Sequence, residues 1–322
     1  MAANVLIVKL SSLGDLLHAL PAAHALKAGL NATRLDWVTQ GEYREIVSCF
    51  TDVDEVIEFP RRNFLANFSA FRSKLRARRY DYVFDMQGLL KSGIVTWQAD
   101  AARKIGPFGP REGARFFYNS YPTNGVQDRH AVDRLWDVVA HVGVEYSEKK
   151  FPLEFPEVKV EGSGPRVAIA PCSRWGAKNW PVDYFAELSA QLSGELGATV
   201  YIIGGPADRT VGDQISGASY NFCGEHRLPQ TGNALQQMDV LVTNDSGPMH
   251  IAAAVGTPVV ALFGPTDPGL TGPYGEQHMV LRSDEATEQG PGHLNFKSGD
   301  NSLMRQIRVD EVFAAVREVL MR

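Results

Sequence analysis

Short apolar runs alternate with longer amphipathic stretches along most of the chain. "NVLIVKL" (Asn4–Leu10) reads as a buried strand, and Asp15–Lys27 follows with Leu16, Leu20, Ala23 and Leu26 at helical spacing. "RLDWVT", "VDEVIEF" and "YDYVFDM" predict further strands, with helices over Asn63–Arg79 and Arg129–Val142. Near Tyr146 the alternation lapses into "FPLEFPEVKVEGSGP", which carries three prolines and no helical period. It then resumes with "RVAIAP", a helix over Val182–Ser193, "TVYIIGG", a helix from about Pro206, "DVLVTN", a helix over Pro248–Val255 and "PVVALFGP". Val309–Met321 closes the chain with a helical period through Val312, Val316 and Val319. Strands separated by helices imply parallel sheets covered on both faces. The pattern therefore predicts an α/β protein of two doubly wound domains, 1–150 and 166–322, joined by a linker over 151–165. Two such domains predict a ligand cleft at the carboxyl ends of both sheets.

Length agrees with that division, since 322 residues exceed one ordinary core. With 44% apolar and 21% charged residues the composition is that of a soluble globular protein. A net charge of −5 argues against a broadly basic nucleic-acid binder. Cys49, Cys172 and Cys223 are odd in number and lack metal-ligand spacing, which fits a reducing cytosol. No signal-peptide pattern opens the chain, and no apolar run reaches the roughly 18 residues that would span a bilayer. Any work at a membrane is expected from its surface.

Candidate chemistry sits where strands end. After the first strand, "KLSSLGDLLHALPA" places Ser11, Gly14 and Asp15 at a helix start, with Lys9 at the end of a buried strand. Asp15 either faces a ligand there or caps the helix. In "DMQGLLKSG", Gln87 and Lys91 suit hydroxyl recognition, or equally a cap and a solvated lysine. "APCSRWGAKNWP" puts Ser173, Arg174 and Lys178 in one loop, a pattern that favours a phosphate. In "NDSGPMHIAAAVGTPVVALFGPTDP", Asp245, Ser246, Gly247 and His250 mark a helix N-terminus able to hold a diphosphate. His250 either donates to the ligand or packs in the core. No Walker A sequence occurs and no complete G-x-G-x-x-G follows the first strand, so P-loop and dehydrogenase readings lose ground.

These motifs, in this order, resemble those of the ADP-heptose:lipopolysaccharide heptosyltransferases, glycosyltransferase family 9 of the GT-B fold. "VLIVKLSSLGDLLHALPA", "DMQGLLKS", "KNWP", the long stretch from Asn244 and "YG" at Tyr274-Gly275 carry the resemblance across nearly the whole chain. "SSLGDLLHALP" with "FGPTDPGLTGPYG" is most similar to heptosyltransferase I, with heptosyltransferase II as the rival. The resemblance implies an inverting transfer of heptose from ADP-heptose to a Kdo residue of Kdo-lipid A, at the cytoplasmic face of a Gram-negative inner membrane. A sugar-nucleotide epimerase or hydrolase, or a non-catalytic binder, would be the readings from other classes. By resemblance Asp15 is the general base, and Ser173, Arg174 and Lys178 meet the donor diphosphate. Asp245 meets the donor sugar, and Ser246, Gly247 and His250 line the helix end facing the phosphates. Ser11, Gly14, Arg61, Arg62, Gln87 and Lys91 fall on the acceptor side. The resemblance implies no metal and no cofactor. It also implies a terminal helix, 309–321, that packs back on the N-terminal domain.

Overall fold

The computed structural model describes residues 3–61, 64–146, 148–289 and 299–322. The chain forms two compact units, Met1–Glu154 and Phe155–Arg322. In the first, β1 (Ala3–Val8), β2 (Ala32–Gln40), β3 (Glu55–Phe59), β4 (Tyr80–Asp85) and β5 (Ala101–Ile105) form one sheet in the order β3-β2-β1-β4-β5. Every pairing is parallel, with Val5 to Val8 of β1 opposite Leu35 to Val38 on one side and Tyr82 to Asp85 on the other. Helices α1 (Leu13–Gly29), α2 (Phe64–Leu75), α3 (Leu90–Gln98) and α4 (Ala131–His141) cover the sheet. Leu6, Val8, Val38, Ile57, Phe71, Leu75 and Val95 make one buried cluster on this sheet. The helix expected to begin at Asn63 starts at Phe64; Arg62 and Asn63 lie outside the described residues.

The second unit holds β6 (Arg166–Ala170), β7 (Thr199–Ile202), β8 (Tyr220–Asn221), β9 (Val240–Asn244), β10 (Val259–Phe263) and β11 (Met279–Arg282). Their order is β11-β10-β9-β6-β7-β8, again parallel throughout. Its main helices are α5 (Val182–Leu196), α6 (Leu228–Gln236), α7 (Gly247–Ala254) and α8 (Val309–Leu320). The apolar pattern missed β5, β8 and β11, whose residues are mostly half-buried or exposed and so lack a strong apolar run. The helix expected from Pro206 is only two short turns, Pro206–Asp208 and Arg209–Gly212.

Residues 155–160, expected in a linker, pack on the second unit. Phe155 lies against Gly232, where a Cβ would come within 2.5 Å of its ring, and Val158 N–H donates to Asn233 Oδ1 at 2.9 Å. The terminal helix contributes to the same unit's core. Val309, Val312, Val316 and Val319 of α8 belong to the second unit's own core, with Val167, Phe185, Val242 and Val260. An apolar stripe of that width is buried where it meets a matching sheet face, and this unit supplies that face.

Each sheet reverses its strand order beside its first strand. Those switch points, β1/β4 and β6/β9, are where an open parallel sheet leaves a crevice at its carboxyl edge.

Candidate active site

At the first switch point, Lys9 follows directly on β1, and its side chain is only 7% exposed. Its Nζ donates to Met86 O at 2.9 Å and lies 3.5 Å from Asp15 Oδ1, tying the loops after β1 and β4 to the start of α1. Gln87 reinforces this tie, because its Oε1 accepts from Leu10 N at 3.2 Å and Ser11 N at 3.4 Å. Gly88 turns the β4 loop with φ 71°, and a Cβ there would come within 2.7 Å of Pro107. Asp85, fully buried, fixes that turn by accepting from Gln87 N, Gly88 N and the Tyr118 hydroxyl at 2.7 to 2.9 Å.

Asp15 caps the helix without being buried by that role. It sits at the third residue of α1, where Ser12 N and Ser12 Oγ donate to its Oδ2 at 3.0 and 2.8 Å, forming a capping box. Its carboxylate is nonetheless 44% exposed. Burial pushes its pKa up, but Lys9 and the two Ser12 hydrogen bonds together outweigh that and hold it down at about 2. The group is therefore a carboxylate at any working pH.

Asp15 lines a cavity of about 400 Å³ shared with His18, Gln87, Arg111, Gln127 and Arg134. The side chains of Arg111 and Arg134 have no ion-pair partner among the described residues. Sequence reasoning missed Arg111 because the strand before it, β5, leaves no apolar run, and Arg134 because it lies inside a helix. Of the expected acceptor residues, Gln87 lines this cavity beside Asp15, the expected base, while Ser11 and Gly14 lie in the adjoining turn and helix start and do not line it. Lys91 points elsewhere, with Nζ 5.9 Å from the Phe59 ring centroid. Arg61 reaches Gln40 Oε1 and Glu42 Oε1, both at 3.4 Å, in a different pocket of the same unit. Arg62 lies outside the described residues.

At the second switch point the stitching residue is Asn244, fully buried at the end of β9. Its Nδ2 donates to Pro171 O at 2.7 Å, and its Oδ1 accepts from Trp180 N at 3.0 Å. Both ends of the β6 loop are thereby held, while Trp180 Nε1 donates to Ile307 O at 2.9 Å beneath it. Within the loop, Ser173 N donates to Asn179 Oδ1 at 2.8 Å and Ser173 Oγ to Trp175 O at 2.9 Å. The Ser173 hydroxyl proton is thus spent on the loop, which leaves that oxygen only as an acceptor. Lys178 Nζ reaches Asp245 Oδ2 at 2.6 Å, and Thr266 Oγ1 donates to the same oxygen at 2.8 Å. Asp245 is only 9% exposed on its side chain, and among the described residues both donors meet its Oδ2 and none its Oδ1. Arg174 is exposed at the loop's tip.

Asp245 does not cap α7, although its position allowed it. The N-cap is Ser246, whose Oγ pairs with Thr243 Oγ1 at 3.0 Å, and no side chain caps the helix. Pro248 has no N–H, so Gly247 and Met249 supply the outward amides of the first turn. His250 is half-buried in that turn. The result is a dipole end left open to an anion, beside a lysine and a hydroxyl.

The three cysteines are free. Burial pushes the Cys172 thiol up to about 12, with Asp208 adding to the shift, so it is no nucleophile at neutral pH. Among the described residues no group of three or more His, Cys, Asp or Glu is placed to hold a metal ion. Likewise among them, no helix is long and apolar enough to cross a membrane.

Two parallel-sheet units of GT-B type, together with the matches that follow, make the chain a glycosyltransferase. The chain belongs to glycosyltransferase family 9 (heptosyltransferase), which its residues 68–292 match. It is 32% identical over 308 residues to lipopolysaccharide heptosyltransferase 1 of Pseudomonas aeruginosa, covering 87% of this chain and 84% of that one. It is 28% identical over 311 residues to lipopolysaccharide heptosyltransferase 2 of Salmonella typhimurium, covering 87% and 88%. Among solved structures it is similar to E. coli heptosyltransferase WaaC with ADP, at a TM-score of 0.83 and 27% identity, covering 98% of this chain and 99% of that one.

Proposed function

We propose that the protein transfers heptose from ADP-heptose to a Kdo residue of Kdo-lipid A, the reaction of heptosyltransferase I. The observation that carries this reading is Asp15: an ionised, accessible carboxylate in a cavity that also holds the uncompensated cations Arg111 and Arg134. A base beside fixed positive charge suits an acceptor with both a hydroxyl to activate and carboxylates to anchor, as Kdo has. Relatives named lipopolysaccharide heptosyltransferase 1, one of them 32% identical, support the heptose transfer, and a similar solved structure containing ADP-2-deoxy-2-fluoro heptose supports the donor.

The acceptor hydroxyl oxygen attacks the anomeric carbon as the bond to ADP breaks on the opposite side, inverting that centre. The hydroxyl proton passes to Asp15, and the bonding electrons leave with ADP. A carboxylate held near pKa 2 is a weak base at rest. It suffices because the hydroxyl becomes strongly acidic only as its oxygen bonds to the electron-poor carbon. Lys9 keeps Asp15 ionised and aimed, and the exposed side of the carboxylate returns the proton to water. Lys178, Arg174 and the open amides of α7 oppose the charge growing on the departing diphosphate, and Asp245 Oδ1 receives a heptose hydroxyl. The acceptor is a membrane glycolipid, so we place the enzyme at the cytoplasmic face of the inner membrane of a Gram-negative bacterium, associated through that acceptor.

Incubation with ADP-heptose and a panel of truncated lipid A cores, read by product mass, tests this. One heptose added to Kdo-lipid A, and none to the already heptosylated core, is the expected result. The reverse pattern would make the protein a heptosyltransferase II, the name carried by relatives at 28% and 27% identity. Donor turnover without any acceptor would point to a hydrolase instead.

A further inference from the structure

Four of the large apolar side chains that stand exposed lie between residues 90 and 126 of the first unit: Leu90 (43%), Trp97 (58%), Phe116 (76%) and Val126 (57%). Leu90 and Trp97 are seven residues apart on α3 and so share one face of it. Phe116 flanks that face, because the helical turn Ala114–Phe117 packs on α3 at Gly93, where a Cβ would come within 2.8 Å of Phe117. Such clusters of exposed apolar residues mark a surface that meets something other than water.

The charge around them says what. Residues 90–119 hold five cations (Lys91, Arg103, Lys104, Arg111, Arg115) against two acids (Asp100, Glu112), a net +3 in a chain of net −5. Two of the cations lie directly beside the apolar groups. Arg115 lies 4.8 Å over the Phe116 ring, and Lys104 Nζ donates to Trp97 O at 2.8 Å. A tryptophan and a phenylalanine ringed by basic residues suit the headgroup layer of an anionic bilayer, where rings sit at the boundary and cations meet phosphates. The patch also runs up to the Asp15 cavity. Arg111 N donates to Gly88 O at 2.8 Å, Leu90 N to Glu112 Oε2 at 3.2 Å, and both Gly88 and Arg111 line that cavity.

We infer that the face formed by α3 and the turn Ala114–Phe117 docks on an anionic lipid surface, with Trp97 and Phe116 inserted at headgroup depth. The continuity with the cavity rests on the acceptor reading above, whereas the docking itself is measured without donor or acceptor. Vesicle binding can therefore fail while heptose transfer stands, or succeed while transfer fails.

The test is co-sedimentation of the whole protein with phosphatidylglycerol/phosphatidylethanolamine vesicles, against phosphatidylcholine vesicles. Wild type is expected to partition to the anionic vesicles and to be released by high salt. Trp97→Ser/Phe116→Ser should lower partitioning about tenfold or more, and Arg115→Glu about fivefold. Neither change should alter transfer to a delipidated, water-soluble acceptor. Brominated lipid should quench part of the wild-type tryptophan emission, and Trp97→Phe, which leaves the fold least disturbed, should lose that part. Equal binding to neutral vesicles, undiminished binding by the double variant, or unchanged quenching in Trp97→Phe overturns the inference. So does a wild-type dimer that the double variant converts to monomer, since the face would then be a self-interface.

Discussion

The two switch points are built alike and charged oppositely. In each, a side-chain amide from the loop or end of the fourth or ninth strand stitches down the neighbouring loop: Gln87 holds Leu10 and Ser11, and Asn244 holds Pro171 and Trp180. In each, a lysine meets an aspartate. In the first unit the lysine is buried at 7% exposure and the aspartate open at 44%, so the pair presents a negative group. In the second the lysine is at 15% and the aspartate at 9%, with Thr266 on the same carboxylate oxygen. The helix ends differ in the same sense. Asp15 fills the dipole end of α1 with a carboxylate, whereas α7 has no side-chain cap and waits for an anion. One architecture thus yields an open carboxylate in one unit and an uncapped helix end in the other, which the proposed function uses as base and anion receptor. The deciding feature is whether the acid sits on the helix or at the end of the strand.

The largest expected effect strikes the first member of that comparison. Asp15→Asn keeps the size of the side chain and removes the base, and kcat should fall by about 10²- to 10⁴-fold. ADP binding, measured by calorimetry, should hold within about twofold, because the donor groups belong to the other unit. A variant that loses ADP affinity as well as kcat would break the division of labour. The same residue has a signature in stability. Its folded pKa of about 2 lies below the ordinary carboxylate value near ~3.9. The stabilisation it brings is therefore complete above the ordinary value and is lost as pH falls toward 2. Thermal melts of wild type and Asp15→Asn should run parallel from about pH 5 to 8 and converge only in strong acid. Divergence near neutrality would show that Lys9 and Ser12 do not hold the carboxyl down.

Next in size is the second pair. Lys178→Met removes the cation meant for the diphosphate and should cost about 10²- to 10³-fold in kcat/KM. It also strands a nearly buried carboxylate at Asp245, worth about 3–5 kcal/mol of stability when a partner is removed. Asp245→Asn added to Lys178→Met should therefore recover much of the lost melting temperature and none of the activity. Recovery of activity in the double variant would mean that Lys178 serves only to neutralise Asp245.

The contrast between the units explains what could be read from the chain alone. Strand-and-helix alternation exposed both sheets because their central strands, such as "VLIV" and "VLVT", are apolar throughout. The edge strands β5, β8 and β11 were invisible, since half-exposed residues leave no such run. Asp15 and Lys178 were legible because they follow strands closely in sequence. Arg111 and Arg134 were not, because each reaches the cavity from an element whose own start carries no strand signal. The roles of Gln87, Ser173 and Asn244 as stitches were also hidden. A polar residue near a strand end looks the same whether it faces a ligand or a backbone amide, and only geometry separates the two.

The smallest predicted effect is the most specific. Asp245 Oδ2 takes two donors, Lys178 Nζ and Thr266 Oγ1, and this leaves Oδ1 for the heptose hydroxyl that the proposed function assigns to it. Thr266→Val keeps the shape and deletes one hydrogen bond to a charged group, a loss of about 1.5–3 kcal/mol at most. Lys178 still holds the carboxylate, so the aim of Asp245 loosens without its charge being stranded. The donor KM should rise about tenfold, at the low end of that range. kcat should hold, since the proposed mechanism puts proton transfer at Asp15 in the other unit. Thr266→Ser restores the hydroxyl and should restore KM. If Thr266→Val instead lowers kcat and leaves the donor KM unchanged, Asp245 acts in the bond-breaking step, and the second unit is more than a receptor for the donor.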